Sequence, residues 1–378
     1  MEVYWFMLAW VIFFGILAQV SAKRVCVGED MYEARANLFM ALVVFSVIIF
    51  FAGMRTVVGD TLTYIKMFEE YPLLENARNI IFDKSAREPG FRLFSILIKT
   101  FISDNYSIWL SIIAIISGLC VMMPLYKYSC NFGLSAFLFM TSCQFTWMFN
   151  GMRQFLAASI IFACTGLILK NRTVLYIIIV CLLSSIHQSA LLLIPMYFVV
   201  KGEPWNKRTM LFVVCIILTM LFTSKFTNLL TDVVEKTDYA TSVNEFKDTD
   251  DGTSIIRILV ESIPVIMAFI YRDKIKHKLT PIIKLSINMS LVASGLYMIS
   301  KIASSGILLG RLPIYFSMYN LILLPWLIKN IFEKREKDLI YYIMIICYFT
   351  FFYYQMCIAW RGMGYGSSIL NIKYNISI

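Results

Sequence analysis

Apolar residues in this chain come in long unbroken runs, separated by short polar stretches. A helix needs about 20 such residues to cross a bilayer. The runs predict spans at about 3–20, 37–54, 106–126, 133–150, 154–169, 209–224, 255–271, 282–300, 312–328 and 339–357. They do not alternate with period two, which argues against a membrane β-barrel. The pattern therefore predicts an all-α polytopic membrane protein with about 10–12 membrane helices. No internal repeat is evident, and residues 1–378 read as one integral membrane domain.

The segment 173–200 does not fit a single span. One helix of that length would be about 42 Å long, against a hydrocarbon core of about 30 Å. The alternative is a pair of short membrane helices, about 173–186 and 189–200, turning near Ser185-Ile186-His187-Gln188. Lys170 and Arg172 precede the segment, and Lys201, Lys207 and Arg208 follow it. A turn back puts both basic clusters on one side. Lys23, Arg24, Arg35, Lys127, the run from Arg272 to Lys278 and the run from Lys329 to Lys337 then share that side. This is the bias of cytoplasmic loops. It predicts an external N-terminus, and it brings Arg55, Asp60, Glu88, Arg153, His187, Arg257 and Arg311 to or near the outer face.

Two outer loops stand out. The first, 55–105, holds Gly59-Asp60, Tyr64 and the turn-forming Glu88-Pro89-Gly90-Phe91. From Phe91 to Ile102 the chain is apolar except for Arg92, Ser95 and Lys99, a spacing that predicts a short amphipathic helix at the interface. The second loop, 225–254, is acidic and ends in Asp248-Thr-Asp250-Asp251-Gly252.

Composition sharpens this picture without changing it. The chain is 59% hydrophobic and 15% charged, with a mean hydropathy of +0.73. A soluble protein carries about a quarter charged residues. The net charge of +10 sits in short loops, where membrane topology accounts for it, so nucleic acid is not an expected partner. Val3 to Val20 lacks a basic start and a small-residue cleavage site, and reads as a retained first helix. The nine cysteines show no CxxC spacing, which implies neither a metal site nor a disulfide framework. GxGxxG, Walker A and HExxH motifs are absent, so no cofactor is expected. Asp248-Thr-Asp250 has the form of a metal–nucleotide motif, but it lies in an external loop without α/β context.

The candidate chemistry lies in charges placed in apolar surroundings, which are costly and so point to function. Arg153, at a span end after Asn150-Gly151, either snorkels to the headgroups or clamps a phosphate with its planar fork. His187 is either a hydrogen-bonded core histidine or a general base, since free imidazole titrates near working pH. Arg311, in Gly310-Arg311-Leu-Pro313-Ile-Tyr315-Phe316, would be useful beside Arg153 around a pyrophosphate. Arg257 and Glu261 are spaced i,i+4 and read first as an internal ion pair, with Arg257 kept as a candidate substrate contact. Asp60 and Glu88 either cap loop elements, orient arginines or bind sugar hydroxyls.

The order Gly59-Asp60 with Tyr64, Glu88 to Phe91, Arg153-Gln154, His187 with Ser189-Ala190, and Arg311 with Tyr315-Phe316 resembles the EpsG-type branch of Wzy-like bacterial polysaccharide polymerases. The resemblance covers about 55–320. It implies a GT-C-like membrane fold and a multi-pass protein of the bacterial cytoplasmic membrane. It implies an enzyme that extends O-antigen, capsule or exopolysaccharide chains at the outer face. The growing glycan on undecaprenyl pyrophosphate would move onto an incoming lipid-linked repeat unit, with neither metal nor nucleotide sugar. The implied partners are that lipid-linked oligosaccharide and membrane lipid, with a chain-length regulator and a flippase as candidates. In such an enzyme His187, Arg153, Arg311, Asp60 and Glu88 are the candidate catalytic residues. Arg55, Tyr64, Gln154, Arg257 and Tyr315 are the candidate substrate contacts. An O-antigen ligase or other lipid-linked glycosyltransferase is the nearest alternative, and a flippase of lipid-linked sugars is the alternative from another class.

Overall fold

A computed structural model describes residues 1–28, 31–77, 88–222, 253–303, 309–360 and 363–373. Most of the acidic loop expected at 225–254 lies outside the described residues, including Asp248-Thr-Asp250. The described residues form two compact units, Met1–Ile194 with Phe332–Ile378, and Pro195–Ile331.

The first unit opens with α1 (Glu2–Val20), a two-stranded antiparallel hairpin of β1 (Lys23–Gly28) and β2 (Met31–Arg35), and α2 (Leu38–Gly53). The hairpin occupies the loop read from sequence as basic and cytoplasmic. The loop read from sequence as external follows, with α3 (Thr61–Glu70) and α4 (Pro89–Phe101), and then α5 (Tyr106–Tyr128) and α6 (Phe132–Thr141). Next come α7 (Met152–Ala163), α8 (Thr165–Leu169) and α9 (Thr173–Ser184). Asparagines begin three of these helices. Asn37, Asn105 and Asn131 each accept a backbone N–H from the first turn, which satisfies donors a helix start leaves orphaned.

The second unit contains α10 (Lys207–Leu221), α11 (Ile255–Ile270), α12 (Pro281–Ile302), α13 (Ile314–Ser317) and α14 (Asn320–Ile331). Asn206 caps α10 in the same way. The chain then returns to the first unit through α15 (Lys334–Tyr353), continued as a π-turn over Tyr354–Ala359. This is an all-α polytopic membrane architecture. Five described helices are long and apolar enough to cross a bilayer: Glu2–Val20, Tyr106–Tyr128, Met152–Leu169, Pro281–Ile302 and Lys334–Ala359. Shorter apolar helices accompany them.

Two expected spans are broken. The run 133–150 is helical only as far as Thr141; Cys143 is left-handed at φ 62°, and Gln144–Met148 form a 3-10 turn. Hydroxyls offer the backbone a local alternative here, with Thr146 Oγ1 donating to the Cys143 carbonyl at 2.7 Å. The run 312–328 is similarly divided into α13 and α14. The break expected within 173–200 falls where the sequence places it. α9 stops at Ser184, His187 is extended, and a 3-10 turn begins at Gln188.

Membrane helices approach closely where small residues meet. Gly15 of α1 lies against Gly133 of α6, and a Cβ on Gly133 would come 2.3 Å from the Gly15 carbonyl oxygen. The segment after α15 closes the unit. Gly366 pairs with Val57, Tyr365 Oη donates to the Phe51 carbonyl at 3.0 Å, and Tyr4 Oη donates to the Met363 carbonyl at 2.8 Å. The start of α1, the end of α2 and the end of α15 therefore lie on one side. That agrees with the span parity read from the loops.

Candidate active site

Three segments far apart in sequence converge around the start of α7 at one end of the first unit. The first is the start of the outer loop. Gly59 has φ +51°, and a Cβ there would lie 2.9 Å from Asn150 Cγ. Asp60 Oδ2 accepts the Gly151 N–H at 3.1 Å. Gly59-Asp60 thus grips Asn150-Gly151 and sets the start of α7, which carries Arg153. Arg55 supports this grip from beneath. It is 1% exposed. It donates from Nε to Thr61 Oγ1 at 3.1 Å, from Nη2 to Met152 Sδ at 3.1 Å, and from Nη1 to the Ala52 carbonyl. A cation suits this carbonyl because it lies at a helix C-terminus. Burial lowers the Arg55 pKa to about 10, against the opposing pull of Asp60. Arg55 and Asp60 act here as the mounting of Arg153.

The second segment is Glu88 to Phe91. Glu88 is left-handed at φ 56° and Pro89 opens α4. The N–H groups of Gly90 and Phe91 donate to the Ser185 carbonyl at 2.9 and 3.3 Å. A Cβ on Gly90 would lie 2.0 Å from Ser185 Oγ, so only glycine allows this approach. The helix start is thereby docked on the third segment, the turn that carries His187. α9 has 12 residues and is about 18 Å long. That is shorter than the hydrocarbon core of about 30 Å.

Glu88 stands between Arg153 and His187. Arg153 Nη1 is 2.5 Å from Glu88 Oε2, and His187 Nε2 is 3.6 Å from Glu88 Oε1. Arg153 Nε donates to Tyr64 Oη at 3.0 Å, and its guanidinium lies over the Tyr64 and Phe91 rings at 5.3 and 5.9 Å. His187 Nδ1 is 2.7 Å from Ser189 Oγ, which also accepts from Gln154 Nε2 at 3.2 Å. The Glu88 side chain is 7% exposed, His187 20% and Arg153 33%. The carboxylate is therefore the buried hinge of the cluster, while the arginine and imidazole reach solvent. Burial holds the Tyr64 and Tyr71 phenols above their ordinary value, partly offset by Arg153 for Tyr64 and by Arg92 for Tyr71. An apolar floor supports the site, with Phe68 stacked on Trp109 at 4.6 Å and Met152 and Leu156 beside them.

The sequence model of the EpsG family matches residues 38–368. The chain belongs to the EpsG family. That makes it a polysaccharide-polymerase-type membrane protein. No curated protein and no solved structure matches the chain.

Among the residues the sequence singles out in this EpsG-family chain, the first unit brings together Asp60, Tyr64, Glu88, Arg153, Gln154 and His187, with Arg55 behind them. Arg257, Arg311 and Tyr315 belong to the second unit. There Arg257 Nη1 is 4.0 Å from Glu261 Oε1, the internal pair that the i,i+4 spacing predicts. Asn320 Nδ2 donates to Glu261 Oε2 at 2.9 Å, which helps satisfy a buried carboxylate. Tyr315 is buried and Arg311 half-buried.

Two parts of this cluster carry no signal in the sequence. One is Ser185, which works through its carbonyl and so carries no side-chain signal. The other is the orientation of α4. Its polar stripe faces the protein: Lys99 Nζ donates to the Phe68, Glu69 and Tyr71 carbonyls at 3.0, 2.7 and 2.6 Å, and Ser95 Oγ accepts from Trp109 Nε1 at 3.1 Å. Lys99 thereby caps the C-terminus of α3. The exposed edge is apolar instead, with Leu97, Ile102 and Phe101, the last 71% exposed. Among the described residues, no group of three or more His, Cys, Asp or Glu side chains could hold a metal ion.

Proposed function

We propose that this protein polymerises lipid-linked oligosaccharide repeat units at the outer face of the bacterial cytoplasmic membrane. A growing glycan on undecaprenyl pyrophosphate is transferred to a sugar hydroxyl of an incoming lipid-linked repeat. The observation that carries this reading is the Arg153–Glu88–His187 cluster, built by three distant segments at one end of a membrane bundle.

The chemistry follows from that arrangement. The acceptor oxygen attacks the anomeric carbon, and the bond from that carbon to the pyrophosphate oxygen breaks. The electron pair leaves with the lipid pyrophosphate, and the acceptor proton passes to His187. Charge develops on the leaving phosphate, and a guanidinium pre-set in a partly water-excluded site stabilises it without reorganising. Arg153 has that character. Tyr64 fixes its Nε, Glu88 fixes its Nη1, and a third of the side chain is exposed to meet a ligand. Glu88 also stabilises the imidazolium formed when His187 takes the proton. The exposed apolar edge of α4 gives a polyprenyl tail a surface beside the site.

The test is complementation of a strain lacking this gene, read as a ladder of glycan lengths, with membrane insertion checked by immunoblot. Arg153→Ala and Arg153→Lys should insert normally and leave single repeat units, since lysine lacks the fork that binds phosphate while holding Tyr64 and Glu88. Arg311→Ala in the same assay decides whether the second arginine acts. A deletion strain that puts no repeat at all on its acceptor would instead mark a ligase. Full-length ladders from Arg153→Ala would sink the proposed chemistry.

A further inference from the structure

The groups around His187 bear on which of its nitrogens carries the proton. Gln154 Nε2 can only donate, so Ser189 Oγ accepts from it at 3.2 Å. The same oxygen is 2.7 Å from His187 Nδ1, and His187 Nε2 faces Glu88 Oε1 at 3.6 Å. In a neutral imidazole one nitrogen bears hydrogen and the other a lone pair. A lone pair on Nε2 would point at a carboxylate oxygen, which is repulsive. The charge of Glu88 thus favours hydrogen on Nε2, which leaves Nδ1 as the acceptor for the Ser189 hydroxyl. The directions then run one way, from Gln154 to Ser189 to His187 to Glu88.

This order has a chemical consequence, because the basic nitrogen of His187 lies behind the Ser189 hydroxyl. We propose that Ser189 is the proton relay of the site: the acceptor sugar hydroxyl gives its proton to Ser189 Oγ while Ser189 gives its own to His187 Nδ1. The proposal rests on the transferase reading above. The step balances. The acceptor loses a proton and becomes the nucleophile, Ser189 ends as it began, and the proton resides on an imidazolium whose Nε2–H faces Glu88. A hydroxyl suits this task because it can donate one hydrogen bond while accepting two. Ser189 is half-buried, at the turn that also carries the Ser185 carbonyl under Gly90. His187 thus draws the proton without touching the sugar, and Glu88 holds the imidazole in the orientation that makes this possible.

Two measurements test it, and they fail separately. The chain has only two histidines, so full-length protein carrying His277→Gln and labelled with 15N-histidine reports His187 alone by NMR in lipid vesicles. Neutral His187 should show hydrogen on Nε2 and a lone pair on Nδ1. Hydrogen on Nδ1 in the neutral form overturns the relay, whether or not the protein proves to be a polymerase. The second measurement is polymerisation of a lipid-linked repeat by purified protein. Ser189→Ala should lower kcat about 100-fold, the scale of one positioned proton transfer, with KM changed less than about threefold. Ser189→Thr should restore most of the rate. Wild-type kcat in Ser189→Ala overturns the relay; a lowered kcat that threonine does not rescue overturns it too. Failure of the wild-type protein to polymerise sinks the transferase reading, while the tautomer still decides the hydrogen-bond order.

Discussion

Removing Arg153 should harm folding far more than neutralising its partner, because the two ends of the pair differ in burial. The Glu88 side chain is 7% exposed and that of Arg153 33%. In Arg153→Met the carboxylate is left without its nearest cation in a site that water barely reaches. Breaking a buried pair this way costs about 3–5 kcal/mol. In Glu88→Gln the stranded partner is a guanidinium that water can hydrate, and the amide oxygen still accepts a hydrogen bond. The cost then falls toward that of an exposed pair, about 1 kcal/mol. A unit of about 250 residues loses about 2 °C in Tm per kcal/mol, which puts Arg153→Met about 6–10 °C below the wild type and Glu88→Gln about 2 °C below it. The double variant should be more stable than Arg153→Met alone, since the stranded charge is gone. Tryptophan fluorescence on heating, in one detergent at one concentration, measures all three. Equal losses in the two single variants, or a double variant no better than Arg153→Met, would refute the asymmetry.

Two further substitutions test the mounting of the site. Gly90→Ala places a Cβ 2.0 Å from Ser185 Oγ and 2.8 Å from Ser185 Cβ, so it should push α4 off the His187 turn and abolish chain extension while the protein still inserts. Adding Ser185→Gly removes both side-chain clashes and should restore part of the activity in the glycan ladder. Tyr365 is buried among Tyr4, Phe51 and Phe149. Tyr365→Ala should cost about 3–5 kcal/mol, read as a lowered Tm. Tyr365→Phe should cost about 1 kcal/mol for the lost bond to the Phe51 carbonyl.

The positions of most membrane helices were legible in the sequence, because a hydrocarbon slab of fixed thickness sets a length that apolar runs must match. The same length rule, joined to the basic clusters at 170–172 and 201–208, located the break at His187. Breaks within the runs 133–150 and 312–328 were not legible. Both runs are apolar on average despite Thr141, Gln144 and Asn320, and mean hydropathy does not report where hydroxyls and left-handed residues interrupt a helix. Arg55 illustrates the same limit from the other side. Its charge marked it as a ligand contact, but packing decides whether a guanidinium faces a ligand or the carbonyl that ends α2.

What the sequence by itself determined is an all-helical membrane protein of the EpsG family, with Asp60, Glu88, Arg153 and His187 among its candidate site residues. Those conclusions rest on local properties: run length, charge bias and the order of short motifs. Only the tertiary structure decided that Glu88 stands between Arg153 and His187, that Ser189 lies against the imidazole, and that the polar stripe of α4 turns inward to cap α3. The physical reason is distance along the chain. Glu88, Arg153 and His187 are held together by backbone contacts at Gly59, Gly90 and the Ser185 carbonyl, none of which carries a side-chain pattern that sequence periodicity can report.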